Sequence, residues 1–126
     1  MNNCLFCKIV KSELPCYKVY EDKNYLAFLD INPASKGHTL VIPKKHYQWV
    51  YEVENFGDYW ETALKVTKKI QRALKPIFIS YFTHGLLVPH AHIHIIPRYE
   101  KEKVLPEQKQ VDKKELEEVL KLINKT

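Results

Sequence analysis

The stretch Pro89-His90-Ala91-His92-Ile93-His94-Ile95-Ile96-Pro97 constrains this chain more than any other. Half of the six histidines fall in it at a spacing of two, and aliphatic residues separate them. Successive side chains on a strand point to opposite faces. The run therefore predicts a strand that turns His90, His92 and His94 to one side and sends Ala91, Ile93 and Ile95 into a core. Neighbouring imidazoles would stand about 7 Å apart at Cα, and the outer two roughly 13 Å apart. One metal ion does not easily collect all three at that spacing. A line of imidazoles suits an extended, multiply charged ligand, above all a phosphate carrying a group on either side.

Composition narrows the setting. A chain of 126 residues, 45% hydrophobic and 28% charged, reads as a single globular domain large enough to bury a core without staples. No apolar run approaches the roughly 20 residues of a membrane span. The start Met1-Asn2-Asn3-Cys4 lacks the charged and apolar regions of an export signal, so the expectation is a cytoplasmic protein with no membrane partner. Its net charge of +5 comes largely from lysines scattered over a solvated surface. With no aromatic-studded basic motif of the kind that reads RNA, a small anionic substrate is expected before a nucleic acid. Three cysteines without an export signal argue against a disulfide framework. Cys4 and Cys7 make a CxxC, while Cys16 reads as an inert small residue.

Leu5, Phe6, Ile9 and Val10 lie at helical spacing and predict a short helix ending near Ser12. Residues 17–21 alternate as a strand and 25–30 make a second, largely apolar one; with the turn residues Asp22-Lys23-Asn24 between them they read as a hairpin. After the loop 31–37, residues 38–43 make a third strand stopped by Pro43, with Lys44, Lys45 and His46 at its end. From Asn55 to Lys75 the period becomes helical. Phe56, Trp60, Ala63, Thr67, Ile70 and Leu74 recur at steps of three and four, with Asn55 as N-cap and the aromatics packing into the core. Residues 77–82 are a fourth strand, and Thr83-His84-Gly85 turns back into the histidine strand. A polar linker over 99–110 precedes a terminal helix, with a capping box at Asp112–Glu115 and an apolar face of Leu116, Val119, Leu120 and Ile123. The expected fold is α+β: a five-stranded, mostly antiparallel sheet with one long helix, a short N-terminal helix and a C-terminal helix.

The usual phosphate cradles are missing. With glycine only at 37, 57 and 85, neither a GxGxxG turn nor a GxxxxGK[ST] loop can be built. Imidazole can replace them. Its ordinary pKa of about 6.5 leaves it largely neutral at pH 7 and able to attack phosphorus, and a protonated neighbour can serve the leaving group. A middle histidine as nucleophile and a flanking one as acid give a covalent phosphoramidate, later split by water, with no metal required.

Residues 89–98 resemble the signature of the histidine triad family of nucleotide-binding proteins, in which three alternating histidines precede two aliphatic residues. The likeness continues upstream through Phe6–Val10, Val19–Asp22, Leu26–Ile31 and Gly37–His46, in family order. The resemblance implies His92 as the nucleophile that becomes nucleotidylated and His94 beside the leaving group. It makes His90 the supporting first member of the triad and His46 an upstream partner. It implies Asp30 on the ribose hydroxyls, whose two acceptor oxygens suit that role. Leu5, Phe6, Ile9, Leu14, Phe28, Leu29 and Ile31 fall where the family encloses a purine, and the backbone N–H groups of Leu87 and Val88 near the phosphate. Some bacterial members begin with CxxC and hold zinc through those thiols and two histidines. Here these are Cys4, Cys7, His46 and His90, a closed and hence structural set.

The family commonly places a glutamine just before the triad and an asparagine in the preceding strand. Here the run is Gly85-Leu86-Leu87-Val88, with Ser80 or Thr83 as the nearest polar substitutes. The catalytic domain is expected over 1–98, with the linker and terminal helix, 99–126, packed on or near it. Such a chain is expected to be a homodimer that hydrolyses or transfers at the α-phosphate of purine nucleoside phosphoramidates or related nucleotide conjugates. Two other expectations stand beside it. One is a zinc-dependent hydrolase with its metal on the HxH pair. The other is a nucleotide-binding or interaction protein whose altered Leu86-Leu87 loop has reduced catalysis.

Overall fold

The computed structural model describes residues 3–101 and 105–125; residues 102–104 of the expected linker, and the termini at 1–2 and 126, lie outside it. A short helix α1 (Leu5–Val10) leads into strands β1 (Lys18–Glu21), β2 (Tyr25–Leu29) and β3 (Thr39–Pro43). A 3-10 turn at Val50–Glu52 and the long helix α2 (Phe56–Leu74) follow, then β4 (Phe78–His84), β5 (His92–Arg98) and a terminal helix α3 (Lys113–Asn124). The strands form one sheet in the order β1-β2-β3-β5-β4, and every pairing is antiparallel.

Both faces of the sheet's middle are covered, which is why β3 is buried along its whole length. Tyr25, Ala27, Val41, Ile93 and Ile95 point to α2 and meet Tyr59, Ala63, Val66 and Ile70. Leu26, Phe28, Leu40 and Ile42 point the other way, to Phe6 and the two N-terminal cysteines. Ile93 and Ile95 are wholly buried, each side chain contributing about 1.5–3 kcal/mol relative to exposure. Their alternation turns His92 and His94 to the α1 face, which the six residues of α1 cover only in part. An open strip of β5 remains there.

Several boundaries differ from the sequence reading, each for a local reason. The histidine strand begins at His92 instead of at residue 90. Ahead of it the Ala91 N–H donates to Tyr47 O (2.6 Å) and the His90 N–H to Val88 O (2.8 Å), so the backbone there leaves the ladder. His90 stays on the α1 side with His92 and His94, its ring 5.9 Å from that of Phe6, but it lies against the thiols of Cys4 and Cys7 and not in the open strip. The fourth strand runs two residues further than expected, carrying His84 out of the supposed turn and into register with His92. On α2 the buried residues are Tyr59, Thr62, Ala63, Val66, Thr67 and Ile70, so Ala63, Thr67 and Ile70 of the expected face are buried while Phe56 stays 47% exposed. Tyr59 wins because its ring stacks on Tyr25 and its hydroxyl donates to Val41 O at 2.7 Å. Asn55 precedes the helix in a left-handed conformation (φ 57°) and makes no side-chain cap.

At the far end, Asp112 caps α3 by accepting from the Glu115 N–H at 2.8 Å. The apolar face of α3 is exposed throughout.

Candidate active site

All six histidines converge, in two adjoining groups. His92 and His94 leave β5 on the α1 face with ring centroids 4.9 Å apart. His92 is buried, its ring edge-on to Phe6 at 5.1 Å, and its Nδ1–H donates to the backbone carbonyl of His90 at 2.7 Å. That bond fixes the tautomer: the lone pair of neutral His92 lies on Nε2. His94 is set by a longer chain. The Ala34 N–H donates to His38 Nδ1 (2.9 Å), which puts the proton of neutral His38 on Nε2, where it faces His94 Nδ1 at 2.8 Å. The proton of neutral His94 is then on Nε2, a buried atom with no hydrogen-bond partner among the described residues. A buried donor left unpaired costs roughly 1–3 kcal/mol, and a ligand acceptor placed there would recover it.

His90 lies on the same side but against α1 itself. Its ring is wholly buried and donates through Nε2 to Pro43 O at 2.9 Å, so its Nδ1 lone pair faces Cys4 Sγ (3.3 Å), Cys7 Sγ (3.5 Å) and His46 Nδ1 (3.2 Å). Cys7 Sγ also meets His46 Nδ1 at 3.2 Å, and the four donor atoms lie within 4.8 Å of one another. Cys4 reaches the group because its side chain accepts from the Cys7 N–H, opening α1, and His46 closes it from the exposed side after the end of β3. A tetrahedral ion with metal–nitrogen bonds of about 2.1 Å would set its nitrogen ligands about 3.4 Å apart, close to the His46–His90 separation. Two sulfurs and two imidazoles, one of them oriented by a backbone carbonyl, can hold a metal ion. The ring of His90 therefore belongs to this group, and only its carbonyl reaches the nucleophile candidate.

The strip left open beside α1 is a cavity of about 520 Å³, in the range of small-molecule sites. His92 and His94 form part of its wall. Leu5, Phe6, Ile9 and Leu14 line it from α1 and the segment after it; Phe28, Leu29, Asp30 and Ile31 from the end of β2; and Leu87 and Val88 from the β4–β5 connection. Every residue expected around a nucleotide is thus brought to one cavity. Asp30 lies 3.6 Å from His38 Nε2 through Oδ2, and its Oδ1 accepts the Asn32 N–H at 2.8 Å.

Two residues at this site carry no assignment from sequence. His38 precedes the third strand, and only the fold brings it 56 positions along the chain to His94. His84 ends β4, its ring 5.5 Å from His92 and 6.1 Å from His94, while Ser80 instead accepts from Arg98 Nη1 and Thr83 donates to His92 O. The period of β4, extended by two residues, was the only available signal for His84.

A family model described as the HIT domain matches residues 11–101. A HIT-like protein of Methanocaldococcus jannaschii is 43% identical over 128 residues, spanning 95% of this chain and 98% of the relative. A Schizosaccharomyces pombe protein named adenosine 5'-monophosphoramidase is 41% identical over 101 residues, 76% of this chain and 74% of its own. The crystal structure of a HIT family member from Bacillus subtilis superposes with a TM-score of 0.84 at 37% identity, covering 98% of this chain and 96% of that one.

Burial also sets how the imidazoles titrate. It lowers the pKa of His92, and it takes His94 down to about 4, with the neighbouring His92 and His38 adding to the shift. A histidine whose folded pKa lies below its unfolded value contributes stability in full above about pH 6.5. That contribution is lost as pH falls toward 4. The melting temperature should therefore drop between pH 7 and pH 4.5, and His94→Gln should make the drop shallower; an equal drop in the variant would refute the assignment.

Proposed function

The chain belongs to the HIT family, matched by the HIT domain model over residues 11–101, and on that premise we propose that it hydrolyses nucleoside phosphoramidates or related nucleotide conjugates through a nucleotidyl-His92 intermediate. The observation that carries the proposal is the fixed tautomer of His92. A backbone carbonyl holds its Nδ1–H, so Nε2 offers its lone pair to a cavity with a carboxylate, Asp30, and an apolar wall. The Schizosaccharomyces pombe relative's name supports an adenosine phosphoramidate as the test substrate.

In this mechanism the base packs among Phe6, Ile9, Phe28 and Leu29, and Asp30 accepts from the ribose hydroxyls. Backbone N–H groups of Leu87 and Val88 lie toward the phosphate. His92 Nε2 attacks phosphorus, forming a P–N bond as the bond to the leaving nitrogen breaks. That nitrogen takes the Nε2 proton of His94 in its imidazolium form, which the adjacent phosphoryl charge favours and which requires the contact to the His38 N–H to open. Water then adds to phosphorus, the His92–P bond breaks, and the water's proton returns to His94. Chemistry of this kind needs no cofactor.

The reading of the HxH pair as a zinc ligand is disfavoured by the tautomers, since neutral His94 presents an N–H and not a lone pair at Nε2. Zinc fits the other group, where Cys4, Cys7, His46 and His90 would hold it and tie α1 to the end of β3. It would support the fold and, through the backbone of His90, the position of the His92 acceptor.

The open edge of β4 exposes Tyr81 and Phe82, and α2 beside it exposes Phe56 and Leu64. An unpaired apolar edge of this kind is a pairing surface, which supports a homodimer. Sedimentation equilibrium should give twice the chain mass; a monomer at micromolar concentration would refute it.

Brief incubation with an adenosine phosphoramidate should add one nucleotidyl group to the wild-type mass and none to His92→Asn, with hydrolysis in the variant reduced by at least about 10³-fold. Undiminished turnover in His92→Asn would rule the nucleophile out. Purified protein should carry one zinc per chain; chelation should lower the melting temperature while His92 can still be labelled. Cys7→Ser binding zinc as tightly as wild type would sink the ligand set.

A further inference from the structure

We propose that His84 is a further catalytic residue, a ring N–H donor to a non-bridging oxygen of the phosphoryl group that His92 attacks. The proposal rests on the His92 reading above and extends it to the ring that β4 sets beside the nucleophile.

The cavity has a charge problem. Among the described residues that line it there is no lysine or arginine, although the chain contains 20 of them. Its one side-chain amide, Asn32, sits two residues beyond Asp30, at the end of the cavity wall that β2 supplies. In the β4–β5 connection Leu86, Leu87, Val88, Pro89 and Ala91 have no polar side chain, and the ring of His90 is turned into the group of Cys4, Cys7 and His46. A phosphoryl group over His92 must therefore be held by imidazole and backbone N–H groups.

His84 is placed for that work. The β4–β5 register pairs it directly with His92, and directly paired residues present their side chains on the same face. Ring nitrogens of His84, His92 and His94 all lie within 4.8 Å of one another. The ring of His84 stands edge-on to His92 (71°) and nearly parallel to His94 (24°). Its Nδ1 accepts the Leu86 N–H at 3.0 Å, so the proton of the neutral ring is on Nε2. The turn that supplies this N–H is held tightly, since a Cβ on Gly85 would come 2.5 Å from Gln48 O. The rings of His84 and His94 thus stand side by side next to His92, at 5.5 and 4.9 Å from it and 6.1 Å from each other. With His94 serving the leaving nitrogen, the Nε2–H of His84 is left to hold a non-bridging oxygen while phosphorus faces the His92 lone pair. It acts most strongly where charge gathers on that oxygen in the transition state. His84 keeps its proton throughout, and the bonds made and broken are those already given.

The test compares wild type, His84→Ala, His84→Gln and His92→Asn. It follows nucleotidyl-enzyme formation by rapid quench and intact mass, with an adenosine phosphoramidate and the Rp and Sp forms of its phosphorothioate. His84→Ala should form the intermediate about 100-fold more slowly. His84→Gln, which keeps an N–H donor of similar reach, should recover at least tenfold of that loss. The Rp/Sp rate ratio should change in His84→Ala, because only one of the two oxygens loses its donor. An intermediate formed at wild-type rate by His84→Ala overturns the proposal while leaving His92 as nucleophile. So does a His84→Gln as slow as the alanine variant with an unchanged Rp/Sp ratio, the mark of a packing role; this variant also decides the matter if His84→Ala does not fold. Wild-type protein that takes no label, with full activity in His92→Asn, brings down the His92 reading and this one together.

Discussion

Ile93 and Ile95 hold β5 in a register that cannot slip. Both are wholly buried against α2, and the strand is hydrogen-bonded on both sides, to β3 and to β4. A shift by one residue would put two isoleucines into the cavity and two imidazoles into the apolar core. The orientation of the site is thus inherited from hydrophobic packing on the opposite face of the same strand. Coverage of that opposite face by α2 and of this one only partly by the short α1 decides where a ligand can enter.

Within that frame the backbone assigns the protons. The carbonyl of His90 fixes His92, the Ala34 N–H fixes His38 and through it His94, and the Leu86 N–H fixes His84. None of these bonds depends on a charged side chain. Burial pushes the pKa of His38, His92 and His94 down, so at neutral pH the rings are kept neutral and their tautomers have definite meaning. A neutral imidazole with one committed N–H has a nucleophilic nitrogen on the other side, which a lysine or arginine lining could not provide.

His90 joins the two histidine groups. Its ring turns toward the thiols of α1 and toward His46, while its carbonyl turns toward His92. One residue therefore couples the anchoring of the N-terminal helix to the orientation of the nucleophile candidate. That coupling exists because the chain leaves the ladder just before β5, where the Ala91 N–H goes to Tyr47 and not to a neighbouring strand.

Much of this was legible in the order of residues. Alternation over 90–97 indicated the strand and the inward isoleucines, alternation over 17–21 and apolar runs bounded by turn residues and prolines indicated the other strands, and the helical spacing after Asn55 indicated α2. The cavity lining followed from resemblance over short motifs, and the structure gathers those residues around one space. What periodicity could not decide was direction at the ends of elements. His90 reads as a third member of one row, and its ring does stay on the α1 side, but a backbone that departs from the ladder brings it to the thiols and His46; His84 reads as a turn residue, yet pairing with β5 extends its strand. His38 lies 56 positions from His94, and no local pattern reports a contact at that distance. Sequence by itself determined which side chains alternate, because that depends on neighbours along the chain. Only the tertiary structure decided which nitrogen of each imidazole bears the proton, because that depends on backbone groups brought in from distant segments.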